Sequence, residues 1–165
     1  VVGTNNFEAA VTNNVTYAAA SADANIADAV ALVEASGALA NGVAMSTTMK
    51  NAIGALSVGA QNPAIKYPAF AWGAAPESLG NMALAVNPTV SIAASGAANT
   101  LHALVGDFSA FRWGYADDIA YEVIEYGDPD NTGSDLKGHN QIYLRCEAYI
   151  GWGILAPNMF AKVIA

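Results

Sequence analysis

The sequence predicts an α+β fold in which two helices and several short strands precede a long β-hairpin arm. Three observations predict it. Apolar residues recur at helical spacing within residues 24–56, apolar and mostly polar residues alternate strictly within 141–155, and a turn-forming segment, 127–138, separates that run from a second extended run, 119–126. A chain of 165 residues, 54% of them hydrophobic, is long enough to bury the core of one domain.

The first predicted helix runs from Ala24 to about Ser36, with Asp23 as the expected N-cap. Its apolar side chains recur at i, i+4 and i+7, which places them on one face. These side chains are Ile26, Val30 and Val33. Gly37 is expected to end the helix, because glycine readily adopts the left-handed conformation found at many helix ends.

A short buried strand, Gly42–Met45, is predicted to lead into the second helix. Ser46 is the expected N-cap of this helix, which runs from Thr47 to about Leu56. Met49, Ile53 and Leu56 are expected to point inward, because residues three and four positions apart share one helix face.

Residues 57–80 contain three prolines and several glycines, a composition that predicts a long loop with brief strands. Further strands are predicted over Met82–Ile92, broken at Asn87-Pro88, and over Thr100–Val105. Three aromatic side chains of the loop are expected either to pack on the core of their own chain or to contact a neighbouring chain. They are Tyr67, Phe70 and Trp72.

Residues 119–126 and 141–155 are predicted to pair as the two strands of an extended arm, which includes residues 117–147. The alternation within 141–155 predicts one long strand with an apolar side and a mostly polar side. At about 3.3 Å per residue such a strand would extend about 45 Å, so the arm is expected to project from the core.

Composition argues against several classes of function. The formal net charge is −8, with six Lys and Arg against fourteen Asp and Glu, so direct sequence-specific binding of nucleic acid is not expected. The absence of a long apolar run and of a signal peptide argues against membrane insertion and export. The one cysteine, Cys146, permits no internal disulfide, and its place on the apolar side of 141–155 predicts a buried, unreactive thiol.

Two clusters of polar residues match a catalytic or a metal site only in part. His102, Asp107 and Ser109 lie close in sequence, but no nucleophile elbow accompanies them, so enzymatic activity is not expected. The arm loop matches some positions of a calcium loop, but a histidine replaces the bidentate glutamate, so a solvated turn without metal or cofactor is expected. The loop residues concerned are Asp128, Asp130, Thr132, Gly133, Asp135 and His139.

Charged residues on the arm predict ion pairs. Glu122 and Glu125 point to opposite faces of the first arm strand and therefore cannot serve as an acid and base in one pocket. Arg145 and Glu147 share the polar side of the second strand. They are expected to form ion pairs with acids of the first strand, or with those of a neighbouring chain.

Three motifs, in their order and spacing, resemble one protein family. They are Gly106-Asp107-Phe108-Ser109, Arg145-Cys146-Glu147 and Pro157-Asn158-Met159-Phe160-Ala161. Together with the two arm strands and the polar tip, they resemble the C-terminal half of major capsid proteins of tailed bacteriophages, which have the Hong Kong 97-type fold. The resemblance implies an A domain in which a central mixed sheet is flanked by two helices. It also implies that the projecting arm, residues 117–147, is part of the family's peripheral domain.

The resemblance implies a structural protein whose copies assemble into the pentamers and hexamers of an icosahedral shell. It places the protein in the virion capsid, assembled in the host cytoplasm, with scaffold, protease or decoration proteins as further partners and with no cofactor. The residues that it makes candidates for subunit contacts are Tyr67, Phe70, Trp72, Glu122, Glu125, Arg145 and Glu147.

Some members of the family join their subunits by an isopeptide bond between a lysine and an asparagine, with a glutamate as the base. In the register given by Pro157 and Phe160, Asn140 and Glu147 take the positions of that asparagine and glutamate. The chain departs from the family pattern because neither a long spine helix nor the N-terminal extended loop that would carry the lysine is found. It is therefore expected to be a portion of a longer subunit.

Three alternatives remain open at the level of the sequence. One of them, an extracellular adhesin-like domain, is disfavoured by the absence of a signal peptide. An encapsulin-type nanocompartment shell has the same fold with a different cargo. A small-molecule-binding or enzymatic α+β domain would require a cluster of titratable groups in a pocket under residues 57–80, and that segment offers only Lys66 and Glu77.

Overall fold

A six-stranded sheet forms the centre of the fold in the computed structural model, which describes residues 7–91, 101–133 and 135–165. Within these residues the α-helices are α1 (Phe7–Ala10), α2 (Ala22–Ala35), α3 (Thr47–Gly54) and α4 (Pro68–Ala71). The strands are β1 (Asn13–Thr16), β2 (Gly42–Met45), β3 (Ser57–Gly59), β4 (Asn62–Ile65), β5 (Ser78–Leu79), β6 (Met82–Val86), β7 (Leu101–Gly106), β8 (Phe111–Tyr115), β9 (Ala120–Ile124), β10 (Tyr143–Glu147), β11 (Ile150–Ile154) and β12 (Phe160–Ile164).

The central sheet has the strand order β1-β12-β7-β2-β6-β5. The pairs β1–β12 and β2–β6 are parallel, and the other neighbouring pairs are antiparallel. Helices α2 and α3 bury apolar side chains in the same core cluster as β2, β7 and β12. The predicted α+β fold, a central mixed sheet with two flanking helices, is confirmed.

Helix α2 begins earlier than predicted, and Asp23 is not its N-cap. Ser21 holds the N-cap position without a side-chain hydrogen bond. The Asp23 carboxylate instead forms an ion pair with Lys66 and accepts a hydrogen bond from the Tyr67 hydroxyl at 3.1 Å. The helix ends as predicted at Gly37, whose φ of +86° is the left-handed conformation that glycine adopts at little cost.

Helix α3 follows β2 in the way the sequence predicts. Strand β2 has the predicted bounds, and the Ser46 hydroxyl accepts a hydrogen bond of 3.1 Å from the backbone N–H of Met49. Met49 and Ile53 are buried, as expected for one face of a helix packed on a sheet. These local signals therefore fix the entry of the chain from the sheet into the helix.

Two apolar clusters lie on opposite faces of the central sheet. Successive side chains of a strand point to opposite faces, so alternate residues of β7 and β12 contribute to different clusters. The first cluster contains Ala103, Val105, Ala161 and Val163 together with side chains of α2 and α3. The second is made of Val11, Leu104, Ala110 and Phe160. Burial of each large side chain stabilises the fold by about 1.5–3 kcal/mol.

Residues 57–80 are more regular than predicted. Strands β3 and β4 form a hairpin, and the short helix α4 begins at Pro68, a residue well suited to a first helical position. Strand β6 ends at Val86, before the predicted break, and a 3₁₀ turn follows at Pro88–Ser91. Ile92 and Thr100, the ends of two predicted strands, lie outside the described residues.

The chain divides into two compact units, one made of residues up to 111 with 154–165 and the other of residues 112–153. In the second unit β9 pairs with β10 in antiparallel register, and β8 pairs with β11. The prediction of one long strand over 141–155 is therefore wrong. The strand is interrupted at residues 148–149, opposite the residues between β8 and β9, where the backbone N–H of Ala116 donates to the carbonyl of Tyr149 at 2.8 Å.

The assignment of residues 117–147 to a peripheral domain stays a prediction. No helix in the described part of the chain is long and apolar enough to cross a membrane.

Candidate subunit interface

The β9–β10 ribbon carries an apolar face that is open to solvent. Across the ribbon, Val123 lies opposite Leu144, and Tyr121 lies opposite Cys146. Because side chains alternate along each strand, these four residues share one side of the ribbon, and we call this side the apolar face. Tyr121 is 75% exposed and Leu144 is 64% exposed. Adjacent large apolar side chains with this exposure are typical of a surface that another molecule covers.

The exposure of Cys146 corrects the prediction of a buried thiol, since the cysteine is free and exposed. The alternation correctly placed Cys146 among apolar residues, but alternation shows only which residues share a side. In the part of the chain that the structure describes, the exposed residues of the apolar face have no apolar layer over them. A period-two pattern therefore predicts the face and not its burial.

The opposite side of the ribbon carries three of the charged candidates, Glu122, Arg145 and Glu147. Arg145 lies directly opposite Glu122 in the strand register, yet it forms its ion pair with Glu147 on its own strand. The prediction that Arg145 pairs with an acid of the first strand of its own chain is therefore wrong. Pairing with acids of a neighbouring chain stays a prediction. Glu122 and Glu125 are both exposed, and Glu125 follows the last residue of β9.

The three aromatic candidates of residues 57–80 have different environments. Phe70 is only 4% exposed and belongs to the main core cluster, which contradicts its place among the interface candidates. Tyr67 packs partly against the same cluster and donates its hydroxyl to Asp23. Trp72 is 83% exposed and alone among the three presents nearly its whole side chain to solvent. This difference follows from α4, whose single turn directs Phe70 inward.

The loop between β9 and β10 uses its carboxylates to hold its own backbone. Asp128 accepts hydrogen bonds from the backbone N–H groups of Thr132 and Gly133, at 3.0 and 2.7 Å. Asp135 accepts from Gly127 and Gly138, at 3.0 and 2.9 Å. These bonds are ordinary turn chemistry for aspartate. Within residues 7–91, 101–133 and 135–165, no three His, Cys, Asp or Glu side chains form a group able to hold a metal ion.

The residues of the partial triad have structural roles. Asp107 caps a 3₁₀ turn by accepting from the Ser109 backbone N–H at 2.9 Å, and it accepts from the Asn41 side-chain amide at 2.6 Å. His102 stacks on the ring of Tyr17 with centroids 3.8 Å apart. Asn41, which the sequence did not single out, also accepts from the backbone N–H of Phe108 and so ties two loops together.

Asn140 and Glu147, the possible cross-link residues, are both accounted for by local structure. Asn140 has a φ of +54° and ends a 3₁₀ turn, a position that asparagine tolerates better than most residues. Glu147 is the ion-pair partner of Arg145. The cross-link stays a prediction.

A cavity of about 330 Å³ lies beside α2 and α3, with mainly apolar walls. Its carboxylate, Asp23, is held by Lys66 and Tyr67, and the hydrogen bond from Lys66 contributes most to lowering the pKa of Asp23. A carboxylate with these partners acts as a structural anion. The cluster of titratable groups that an enzymatic pocket would need is not found among the described lining residues.

Apolar residues of β9 were not among the interface candidates, although the sequence contains the signal for them. Tyr121 and Val123 have the same parity within 119–126, and pairing them with Leu144 and Cys146 yields the apolar face. Charge by itself marks a side chain as a surface residue, whereas an apolar side chain can belong to the core or to an exposed face. The strand register was needed to recognise the apolar one.

Comparison with known proteins identifies a consistent set of similar structures. The model of a family described as the phage capsid family matches residues 2–164. A solved structure from Mycobacterium phage Ogopogo is similar with a TM-score of 0.85 and 31% identity, over 99% of this chain and 57% of that chain. One from Gordonia phage Cozz has a TM-score of 0.79 and 25% identity, over 99% and 52%.

A more distant structure, from Mycobacterium phage Bobi, has a TM-score of 0.64 and 19% identity over 92% of this chain and 49% of that chain, and it shows the fold alone. No curated protein matched the sequence. The chain spans only 57% and 52% of the first two solved chains.

Proposed function

The chain belongs to the phage capsid family, and from that membership we propose that it serves as a structural subunit of an icosahedral bacteriophage or prophage capsid. In this role copies of the protein assemble with one another into pentamers and hexamers. The protein is located in the virion capsid and is assembled in the bacterial host cytoplasm. Scaffold, protease or decoration proteins are further partners of the assembly.

The apolar face of the β9–β10 ribbon is the observation that carries this proposal beyond family membership. Tyr121, Val123 and Leu144 expose apolar surface side by side on one side of the ribbon. Removing apolar surface from water stabilises an association by about 25 cal/mol per Å² before the costs of association are subtracted. A shell repeats each contact many times, so modest contacts are sufficient for a stable assembly.

Charged residues of the ribbon and beside it support selectivity of the contacts, with Glu122, Arg145 and Glu147 on the side opposite the apolar face. Glu122, Glu125 and the Arg145–Glu147 pair are exposed or partly exposed. Charges at the rim of an interface steer the orientation of the partners more than they add to affinity. Trp72 adds a second exposed contact in the other compact unit.

Negative-stain electron microscopy of the complete subunit, expressed alone and then with a scaffold protein, tests the proposal. Closed particles of uniform diameter are expected. Small discrete particles at every salt concentration and with every scaffold would contradict the assembly function. Measuring the sedimentation coefficient of the same samples distinguishes closed shells from irregular aggregates.

A further inference from the structure

Lys50 is a buried cation that the capsid function does not explain. It lies in α3, and only 8% of its surface is exposed. Its ammonium group donates one hydrogen bond, of 2.8 Å, to the backbone carbonyl of Gly73. An ammonium has three N–H donors, so the bond to this carbonyl uses only one of the three donors of Lys50.

No carboxylate in the described part of the chain lies within ion-pair distance of Lys50. The two ion pairs found there join Lys66 to Asp23 and Arg145 to Glu147. All fourteen acidic residues of the sequence fall within the described ranges, so no acidic residue of this chain is left to be considered. Buried charges in proteins are normally paired, because an unpaired buried charge is costly.

Lys50 lines a cavity of about 570 Å³. Thr47 and Asn51, also from α3, provide polar groups in the lining. Thr47 is the first residue of α3, and the N-terminal end of a helix favours negative charge. Glu77 lines the cavity as well, but it is exposed and does not pair with Lys50. The buried cation and the helix end therefore give one part of this cavity a positive character.

We propose that the Lys50 ammonium is the centre of a binding site for a carboxylate group in this cavity. The carboxylate accepts hydrogen bonds from the remaining N–H groups of Lys50, and the hydrogen bond from Lys50 to the carbonyl of Gly73 is kept. An acidic side chain of a second copy or a small free carboxylate can supply the group. Fourteen acidic residues against six basic ones give every copy a surplus of carboxylates.

The site is tested by titrating ¹⁵N-labelled protein with sodium acetate that replaces sodium chloride at constant ionic strength. Saturable shifts are expected at the backbone amides of Thr47, Lys50 and Gly73. The Lys50→Met variant keeps the length of the side chain without its charge and is expected to bind acetate at least about tenfold more weakly. Lys66→Met is the matched control, because Lys66 is exposed and already paired with Asp23, and it is expected to bind acetate as the wild type does.

Shifts that fail to saturate in the wild-type protein would overturn the proposal, and so would equal affinities in the wild type and in Lys50→Met. The wild-type titration is decisive even where Lys50→Met fails to fold. Once binding is seen, the source of the carboxylate follows from assembly of the complete subunit. In a Lys50→Met variant with the wild-type circular dichroism spectrum, loss of assembly assigns the site to a side chain of a second copy, and unchanged assembly assigns it to a free carboxylate. The binding result does not depend on whether the protein forms shells.

Discussion

Gly106 at the end of β7 lies directly against the ring of Phe160, its partner at the start of β12. A Cβ atom at Gly106 would lie 2.9 Å from Cγ of Phe160 and 2.6 Å from the carbonyl oxygen of Met159. Backbone and a fully buried ring leave no room for a side chain. The first and last of the motifs that resemble the capsid family thus meet at this contact.

Gly106→Ala is expected to reduce the free energy of unfolding by about 1–3 kcal/mol, because the added methyl group displaces the Phe160 ring or the backbone of Met159. Urea denaturation monitored by circular dichroism measures the change. Gly59→Ala is the matched control, since nothing lies within 4 Å of a Cβ atom there, and it is expected to change stability by less than about 0.5 kcal/mol. Equal effects of the two substitutions would contradict the close approach at Gly106.

The elements that the sequence predicted accurately are those with a local physical cause. Gly37 ends α2 and Ser46 caps α3, as expected, because each of these signals acts within a few residues of its own position. Asp23 shows the limit of such signals. Asp23 was predicted to cap α2, but its carboxylate binds Lys66 and Tyr67, about forty positions away. A local sequence pattern cannot predict a partner at that separation.

The errors in the second compact unit have a different cause. Alternation over 141–155 reports the side to which each residue points and says nothing about which strand pairs with it. The pairing is interrupted at residues 148–149, opposite the residues between β8 and β9, so one predicted strand becomes two. For the same reason the exposure of Cys146 and of the apolar face could not be predicted from the sequence of this chain.

Leu144→Asn is expected to prevent or strongly reduce shell assembly while leaving the stability of the chain nearly unchanged. Leu144 is largely exposed, so its replacement removes little buried apolar area within the chain and is expected to cost less than about 0.5 kcal/mol. The substitution removes the apolar contact that the Leu144 side chain is expected to make with another copy. Sedimentation velocity of the complete subunit measures assembly, and urea denaturation measures stability.

Tyr143→Asn is the control for this substitution, because Tyr143 is the neighbouring residue on the opposite side of β10. It is expected to reduce assembly less than Leu144→Asn does. Normal shells formed by Leu144→Asn would show that the apolar face is not a contact between copies.

Ser46→Ala is expected to destabilise the fold by about 1–2 kcal/mol. The serine is fully buried and its hydroxyl accepts from the N–H of Met49, which would be left without this partner. Thr48→Ala provides the control, since Thr48 is an exposed residue of the same helical turn. Thermal unfolding of both variants measures the difference, and a Ser46→Ala variant as stable as Thr48→Ala would contradict the capping role.

His102 is expected to make the protein less stable as the pH falls below 6.5, its ordinary pKa. Burial lowers the pKa of His102 below its ordinary value of 6.5, so the folded state binds fewer protons than the unfolded state in this range. The stability linked to His102 is therefore fully present above its pKa in the unfolded state. It is lost as the pH falls through the lowered pKa of the folded state. The neighbouring titratable group, Tyr17, ionises far above this window, since burial raises its pKa from 10.0.

His102→Phe retains an aromatic ring against Tyr17 and removes the titrating group, so its unfolding free energy is expected to vary less with pH than that of the wild type. Urea denaturation at a series of pH values compares the two proteins. A His102→Phe variant with the full wild-type slope would show that another group causes the pH dependence.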